Sequence, residues 1–117
     1  MSKLFENPLF DITFFTGFLF FIAGIVMFKF PPKKINSIYG YRTLNSMKSQ
    51  ERWDFAQKYS AKELMKLGIL LLALCLLAVF TKFNYSVNLI TGLLLLILTV
   101  VILLIRVERA INARFGN

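Results

Sequence analysis

The stretch FNYSVNLITGLLLLILTVVILLI, residues 83–105, contains no charged side chain over 23 residues. As an α-helix it would be about 35 Å long, enough to cross a hydrocarbon layer of about 30 Å. Two further uncharged runs precede it, at residues 12–28 and 67–81. As helices they would reach roughly 25 and 22 Å, and the lysines beside the shorter run can lay their stems along the helix while their ammonium groups reach the headgroups. Together with a hydrophobic content of 57% in 117 residues, these runs predict an all-α integral membrane protein.

The spacing of these runs predicts one transmembrane domain. We expect spans at about residues 10–29, 63–82 and 85–105, a polar loop at 30–62 and a basic tail at 106–117. The short link around Asn84 makes the second and third spans antiparallel neighbours. Small residues on the first two spans would let helices approach closely: Thr13, Gly17, Gly24, Gly68, Cys75 and Ala78. The expected fold is an antiparallel three-transmembrane-helix bundle.

The basic residues predict how this bundle is oriented. Residues 29–66 carry nine Lys or Arg against three acidic residues, a net +6 of the total +8. Short loops rich in Lys and Arg stay in the cytoplasm, so the loop and the C-terminus are expected inside and the N-terminus outside. Glu6 and Asp11 interrupt any leader pattern, so we expect the first span to remain in the mature protein.

Composition argues against several functions. There is no His, which removes His-based metal sites and His-dependent triads, and Cys75 lies in an apolar run where a thiol behaves as a small apolar group. Glu51 and Asp54 are accounted for by a helix dipole and an ion pair, so no enzyme, cofactor or metal is predicted. The basic groups lie near the membrane without a nucleic-acid reading module, so the expected partners include membrane lipids and no direct nucleic acid.

The polar loop has its own local signals. Pro31 and Pro32 end the first helix, and Gly40 between two tyrosines predicts either a positive φ or a close neighbour. Ser49 is a plausible N-cap for an amphipathic helix that runs without Pro or Gly into the second span. We therefore expect a cytoplasmic juxtamembrane helix continuous with that span.

The stretch NSIYGYRT, residues 36–43, concentrates aromatic and hydrogen-bonding groups beside otherwise featureless spans. Two interpretations stay open: the tyrosines could belong to an aromatic belt and the tryptophan could be a packing anchor, or these groups could form a recognition site in which Arg42 offers a planar fork to phosphate or carboxylate. The candidate binding residues are Asn36, Tyr39, Gly40, Tyr41, Arg42, Thr43 and Trp53.

The order of several residues in this region resembles the SdpI family. The pattern leads into a transmembrane helix and consists of Pro32, Asn36, YGYRT at 39–43, Ser46, Trp53 and Ala56. The resemblance implies a multi-pass protein of a bacterial cytoplasmic membrane that confers resistance to a membrane-active toxin peptide. In the founding system it also implies a transcriptional repressor held at the membrane. The positions carried over are Gly40, Arg42, Thr43, Trp53 and Asn36.

Two functions follow as hypotheses. The first is a non-enzymatic SdpI-like immunity or signalling protein that recognises a toxin peptide or a cytosolic partner through the YGYRT loop. The alternative is a non-catalytic structural subunit of a larger membrane complex or homo-oligomer, which the small-residue grooves motivate.

Overall fold

Three long helices account for most of the chain. The computed structural model describes residues 6–116, and in them helix α1 spans Pro8–Lys29, α2 spans Gln50–Ala78 and α3 spans Tyr85–Phe115. No strand occurs within these described residues. The fold is therefore all-helical, as the uncharged runs predicted.

Each helix begins at a side chain that accepts from its first turn. The Asn7 side chain accepts from the Leu9 amide at 3.0 Å and Ser49 Oγ accepts from the Arg52 amide at 3.1 Å. Asn84, expected only as a turn residue, caps α3 in the same way. These bonds satisfy amide donors that a helix start leaves without partners. The predicted N-cap at Ser49 is confirmed.

The observed helix bounds differ from the hydropathy boundaries. Helix α2 runs unbroken from Gln50 into the second uncharged run and ends at Ala78. Helix α3 continues past residue 105 to Phe115, so most of the segment expected as a basic tail is helical. Val107 and Ile111, one turn apart, are buried against the rest of the molecule. The apolar run thus ends at Arg106, but the helix continues, with Val107 and Ile111 packed against the rest of the molecule.

Helices α1 and α2 pack through small residues. A Cβ atom added to Gly24 would lie 2.7 Å from the Ala61 carbonyl oxygen, and one added to Gly68 would lie 2.7 Å from the Gly17 carbonyl oxygen. Since Gly17 lies against Gly68 and Gly24 against Ala61, the two helices run in opposite directions. The predicted close approach at these small residues is confirmed, and the grooves are filled within the chain itself.

Helix α3 completes the packing at both ends. Gly92 contacts Ile12 of α1, and Arg106 is paired with Glu63 of α2. At the end of the bundle that carries residues 30–49, which we call the loop end, side chains from all three helices and the loop share one apolar core. Its buried members are Met27, Tyr41, Ala56, Ala61, Val107 and Ile111.

Two helices are long and apolar enough to cross a membrane. In the described residues these are Pro8–Lys29 and Tyr85–Phe115. Of the most apolar 18-residue segment of each helix, 28% and 17% of the residues are buried in the molecule. An apolar core helix of a water-soluble domain would be mostly buried, whereas these expose large side chains such as Leu19 and Ile97. The exposed apolar surface therefore belongs to a membrane protein.

Candidate recognition site

Trp53 fixes the start of the loop to α2. Its side chain is fully buried at the loop end, and its indole N–H donates to the Pro32 carbonyl at 2.7 Å. Indole has one donor and no acceptor, so this bond satisfies its hydrogen-bonding capacity. The structure places Trp53 in the interior as an anchor, with no surface left for a partner.

Gly40 and Gln57 form the tightest contact of the loop. Gly40 has a φ of +109°, and the following residue, Tyr41, is held at both backbone polar groups by the Gln57 side chain. The Tyr41 amide donates to Gln57 Oε1 at 2.7 Å, and Gln57 Nε2 donates to the Tyr41 carbonyl at 2.8 Å. A Cβ atom on residue 40 would lie 2.6 Å from Gln57 Oε1 and 2.7 Å from Pro32 Cγ. Both parts of the prediction for Gly40, a positive φ and a close neighbour, are confirmed.

Tyr41 and Thr43 bind the loop to α3. The Tyr41 hydroxyl donates to Glu108 Oε2 at 2.8 Å, and the Thr43 hydroxyl donates to the same oxygen at 3.0 Å. Burial, and secondly the hydrogen bond to the Glu108 carboxylate, raise the pKa of the Tyr41 phenol well above its usual range. Tyr41 therefore stays a neutral donor, and its ring belongs to the core and not to an aromatic belt.

A closed turn follows. Ser46 Oγ accepts from the Thr43 amide at 2.9 Å, and Thr43 Oγ1 accepts from the Ser46 amide at 3.1 Å. Asn45, inside this turn, links α2 and α3: its Nδ2 donates to Asn112 Oδ1 at 2.9 Å, and its Oδ1 accepts from Arg52 Nη1 at 2.6 Å. The second half of the loop is thereby fixed to α2 and α3.

Residues 36–42 also make local bonds at the surface. Asn36 Oδ1 accepts from the amides of Ile38 and Tyr39 at 2.9 and 2.7 Å. The Arg42 guanidinium donates to the Ser37 carbonyl. The bonds from Asn36 Oδ1 imitate a backbone turn, as Asn side chains commonly do. Asn36 therefore has a structural role.

The exposed part of the loop has a different character. Ile38 and Leu44 are 87% and 89% exposed, and Arg42 is exposed between them in sequence. We call Ile38, Arg42 and Leu44 the exposed loop surface. The Tyr39 ring lies partly exposed beside it, with its hydroxyl donating to the Phe30 carbonyl at 2.7 Å. Of the seven candidate residues, Arg42 is the one with a charged side chain, and that side chain is exposed.

One ion pair links α2 and α3 below the loop. Glu63 is buried, and its carboxylate accepts from Arg106 Nε at 2.8 Å and from Arg106 Nη2 at 3.1 Å. Lys66 lies 3.8 Å from the same carboxylate. A two-point bond of this kind fixes the plane of the guanidinium.

Three residues that hold this region together were not predicted as site residues from the sequence. They are Gln57, Glu63 and Glu108, and each joins two segments of the bundle. A signal existed for each: Gln57 lies one turn after Trp53 on its buried face, and the two glutamates stand alone among basic neighbours. A lone carboxylate in a basic helix is a candidate partner for a donor elsewhere in the fold.

The site offers hydrogen-bonding groups and the exposed guanidinium of Arg42. In residues 6–116 no group of three or more His, Cys, Asp or Glu is placed to hold a metal ion. An all-helical body with exposed apolar helices and a polar loop locked across one end defines the class: a helical membrane protein with a structured loop at its surface.

Comparison with known families agrees with that class and narrows it. The model of the SdpI/YfhL protein family matches residues 33–106, a range that includes most of the loop, all of α2 and most of α3. The chain belongs to the SdpI/YfhL family. The resemblance seen in the YGYRT region is thereby confirmed.

A named relative matches part of the chain. The uncharacterized protein YfhL of Bacillus subtilis strain 168 is 48% identical over 61 residues, covering 52% of this chain and 56% of that protein. The match therefore spans little more than half of the relative's length. No solved structure matches the chain significantly.

Proposed function

We propose that the chain is an SdpI-like immunity or signalling protein of a bacterial cytoplasmic membrane. In this proposal it crosses the membrane three times, without catalytic activity, and recognises a membrane-active toxin peptide or a cytosolic partner at its loop end. The supports are family membership, the exposed apolar helices and the exposed loop surface.

Packing of α2 supports a third span. Asn7, before the first residue of α1, donates to the carbonyl of Ala78, the last residue of α2, at 3.0 Å. At the other end of α1, Gly24 lies against Ala61 of α2. A helix packed along the length of α1 would cross the same hydrocarbon layer that α1 crosses, and the small residues at the contact are typical of helix pairs in membranes.

Charge supports the proposed orientation. The loop end carries most of the Lys and Arg residues, whereas the link between α2 and α3 contains one, Lys82. Under the positive-inside rule this distribution supports a cytoplasmic location for the loop and the end of α3 and an outside location for the start of α1. The recognition surface would then face the inner headgroup layer and the cytosol.

The observation that carries the recognition proposal is the contrast within the loop. The polar side-chain groups of Tyr41, Thr43 and Trp53 are hydrogen-bonded within the molecule. Arg42 is exposed, and the positions Ile38 and Leu44, close to it in sequence, carry exposed apolar side chains. A rigid frame lowers the entropy that a binding site loses when a partner docks. The chemistry fits a peptide or protein segment that presents a carboxylate beside apolar side chains.

Protection assays on matched variants test the proposal. A susceptible bacterium would express the wild-type chain, Arg42→Ala, Arg42→Lys and Lys48→Ala, and membrane-active peptide toxins would be titrated against each. Lys48 is an exposed residue of the same loop, so its variant controls for a general loss of positive charge. We expect protection to fall with both Arg42 variants, since an ammonium cannot reproduce a two-point bond, and to persist with Lys48→Ala.

Two results would contradict this function. If an Arg42→Ala variant accumulates normally and still protects fully, Arg42 does not take part in recognition. If a Lys48→Cys variant is labelled by a thiol reagent in intact cells, the loop lies outside the cell. The same labelling should succeed once the membrane is opened.

The structural-subunit alternative loses part of its motivation. The grooves at Gly17, Gly24 and Gly68 are occupied by contacts between α1 and α2 and offer no open surface to another helix. What remains in its favour is the largely exposed face of α3. Purification in mild detergent as a monomer free of other proteins would exclude this alternative.

A further inference from the structure

A basic pocket lies between α2 and α3, away from the exposed loop surface. It has a volume of about 290 Å³ and is lined by Tyr59, Arg106, Arg109 and Ala110. The three polar members offer hydrogen-bond donors, two of them cationic. Such a pocket suits an anion with several oxygen acceptors.

The ion pair between Glu63 and Arg106 fixes the position of one side chain that lines this pocket. Glu63 engages Nε and Nη2 of Arg106, which leaves Nη1 without a bond to that carboxylate. The Arg106 side chain remains 52% exposed although Glu63 is buried. The guanidinium is therefore held in a fixed plane while one edge stays available, and pre-organisation of this kind favours binding of a phosphate.

Arg109 supplies charge that the protein does not neutralise. It lies one helical turn after Arg106 and is exposed. Within residues 6–116 the two ion pairs are those of Glu63 with Arg106 and with Lys66, so Arg109 has no carboxylate partner there. With Lys66 near Glu63, cations outnumber carboxylates around the pocket, which favours an anionic ligand.

The expected position of the pocket in the membrane indicates which kind of anion it would bind. Arg106 is the first charged residue after the uncharged run 83–105, and Ile105 before it is exposed. On the three-span placement proposed above, on which this inference rests, the pocket lies at the inner headgroup layer with acyl chains directly beside it. Basic pockets between helices on the cytoplasmic side are suited to anionic lipid head groups.

We propose that Tyr59, Arg106 and Arg109 form a binding site for the phosphodiester of an anionic phospholipid such as phosphatidylglycerol. The bound lipid would join α2 to α3 at the membrane surface. This site is separate from the exposed loop surface and takes a different ligand.

Lipid retention measures this directly. The full chain would be reconstituted in nanodiscs of phosphatidylcholine alone or with phosphatidylglycerol, released in the mass spectrometer, and the lipids that stay bound counted. We expect phosphatidylglycerol to be retained in preference to phosphatidylcholine. We expect Arg109→Gln to reduce that retention about ten-fold, as the loss of one charge-assisted contact predicts.

The controls separate this proposal from the proposed function. Tyr59→Phe removes one donor and should reduce retention by less, whereas Arg42→Gln, a change in the recognition loop, should leave retention unchanged. Equal retention of both lipids, or equal retention by wild type and a folded Arg109→Gln variant, would overturn the lipid site. Displacement of the lipid by millimolar inorganic phosphate would assign the site to free phosphate instead. Full protection by Arg42 variants together with preferential lipid retention would count against the recognition loop alone. Arg42-dependent protection together with equal retention of both lipids would count against the lipid site alone.

Discussion

Substitution of Gly40 by alanine tests whether the loop is locked to α2 as the structure shows. At a φ of +109° an L-residue is strained by about 1–2 kcal/mol. The new methyl would also meet Gln57 Oε1 at 2.6 Å and Pro32 Cγ at 2.7 Å. The Gln57 side chain would have to leave the Tyr41 backbone, at a cost of about 0.5–1.5 kcal/mol for each of two hydrogen bonds. The expected total loss of stability is about 2–5 kcal/mol.

Trp53 provides the readout. It is the single tryptophan and is fully buried beneath the loop, so its fluorescence follows both unfolding in SDS-containing mixed micelles and quenching by iodide. We expect Gly40→Ala to unfold at a lower SDS fraction and to admit iodide to Trp53 in the folded state.

A matched control isolates the clash from the backbone strain. Gly116 also has a positive φ, +87°, but a Cβ atom there would have no atom within 4 Å. Gly116→Ala should therefore leave Trp53 protected. The reasoning would be refuted if Gly40→Ala stayed within about 0.5 kcal/mol of wild type, the range of neutral surface changes, with unchanged iodide quenching.

Two other changes, one with a control, address the bonds that join α3 to the loop and to α2. Tyr41→Phe removes the donor to Glu108 and should cost about 1–2 kcal/mol in the same SDS titration; a change below the error of the titration would mean that the carboxylate is rehydrated. Because the pKa of Tyr41 is raised in the folded state, its contribution is complete below about pH 10, the value of the unfolded phenol, and is lost as pH rises towards the folded pKa. Stability measured from neutral pH to above pH 10 should therefore fall more steeply for wild type than for Tyr41→Phe, and parallel curves would contradict the shift. Glu63→Gln should lower the SDS fraction at which the protein unfolds, by a small amount because Arg106 is half exposed and regains water. The control Lys66→Gln removes a 3.8 Å surface contact and should be neutral. Equal changes in the two variants would show that the bond to Arg106 adds no stability beyond that of a surface contact.

Local features of the fold could be predicted from the sequence because their causes are local. Ser49 caps α2 because a hydroxyl reaches an amide three residues on. Gly40 can adopt its positive φ because it has no Cβ atom. The small residues Gly17 and Gly68 meet because close helix approach in a membrane requires the absence of side chains.

The rest of the site depends on helix register, which the sequence does not contain in readable form. Tyr41 and Glu108 are 67 positions apart, and their meeting follows from how α3 lies against α2. Hydropathy alone placed Glu108 outside the bundle, because the run of apolar residues ends at 105. The burial of Val107 and Ile111 shows that packing, and not hydropathy, extends α3 beneath the loop.

Burial of a candidate residue determines whether a substitution there can test function. Trp53→Ala would remove a buried anchor and open a cavity worth about 3–5 kcal/mol, so loss of activity in that variant would report misfolding as readily as lost recognition. Arg42 is different, because its side chain is exposed and its one bond is to the nearby Ser37 carbonyl. Arg42→Lys keeps the charge and leaves the anchors of the loop in place. A loss of protection confined to Arg42 variants, with Trp53 still shielded from iodide, would therefore be evidence for recognition at the exposed loop surface that no variant of the buried residues can supply.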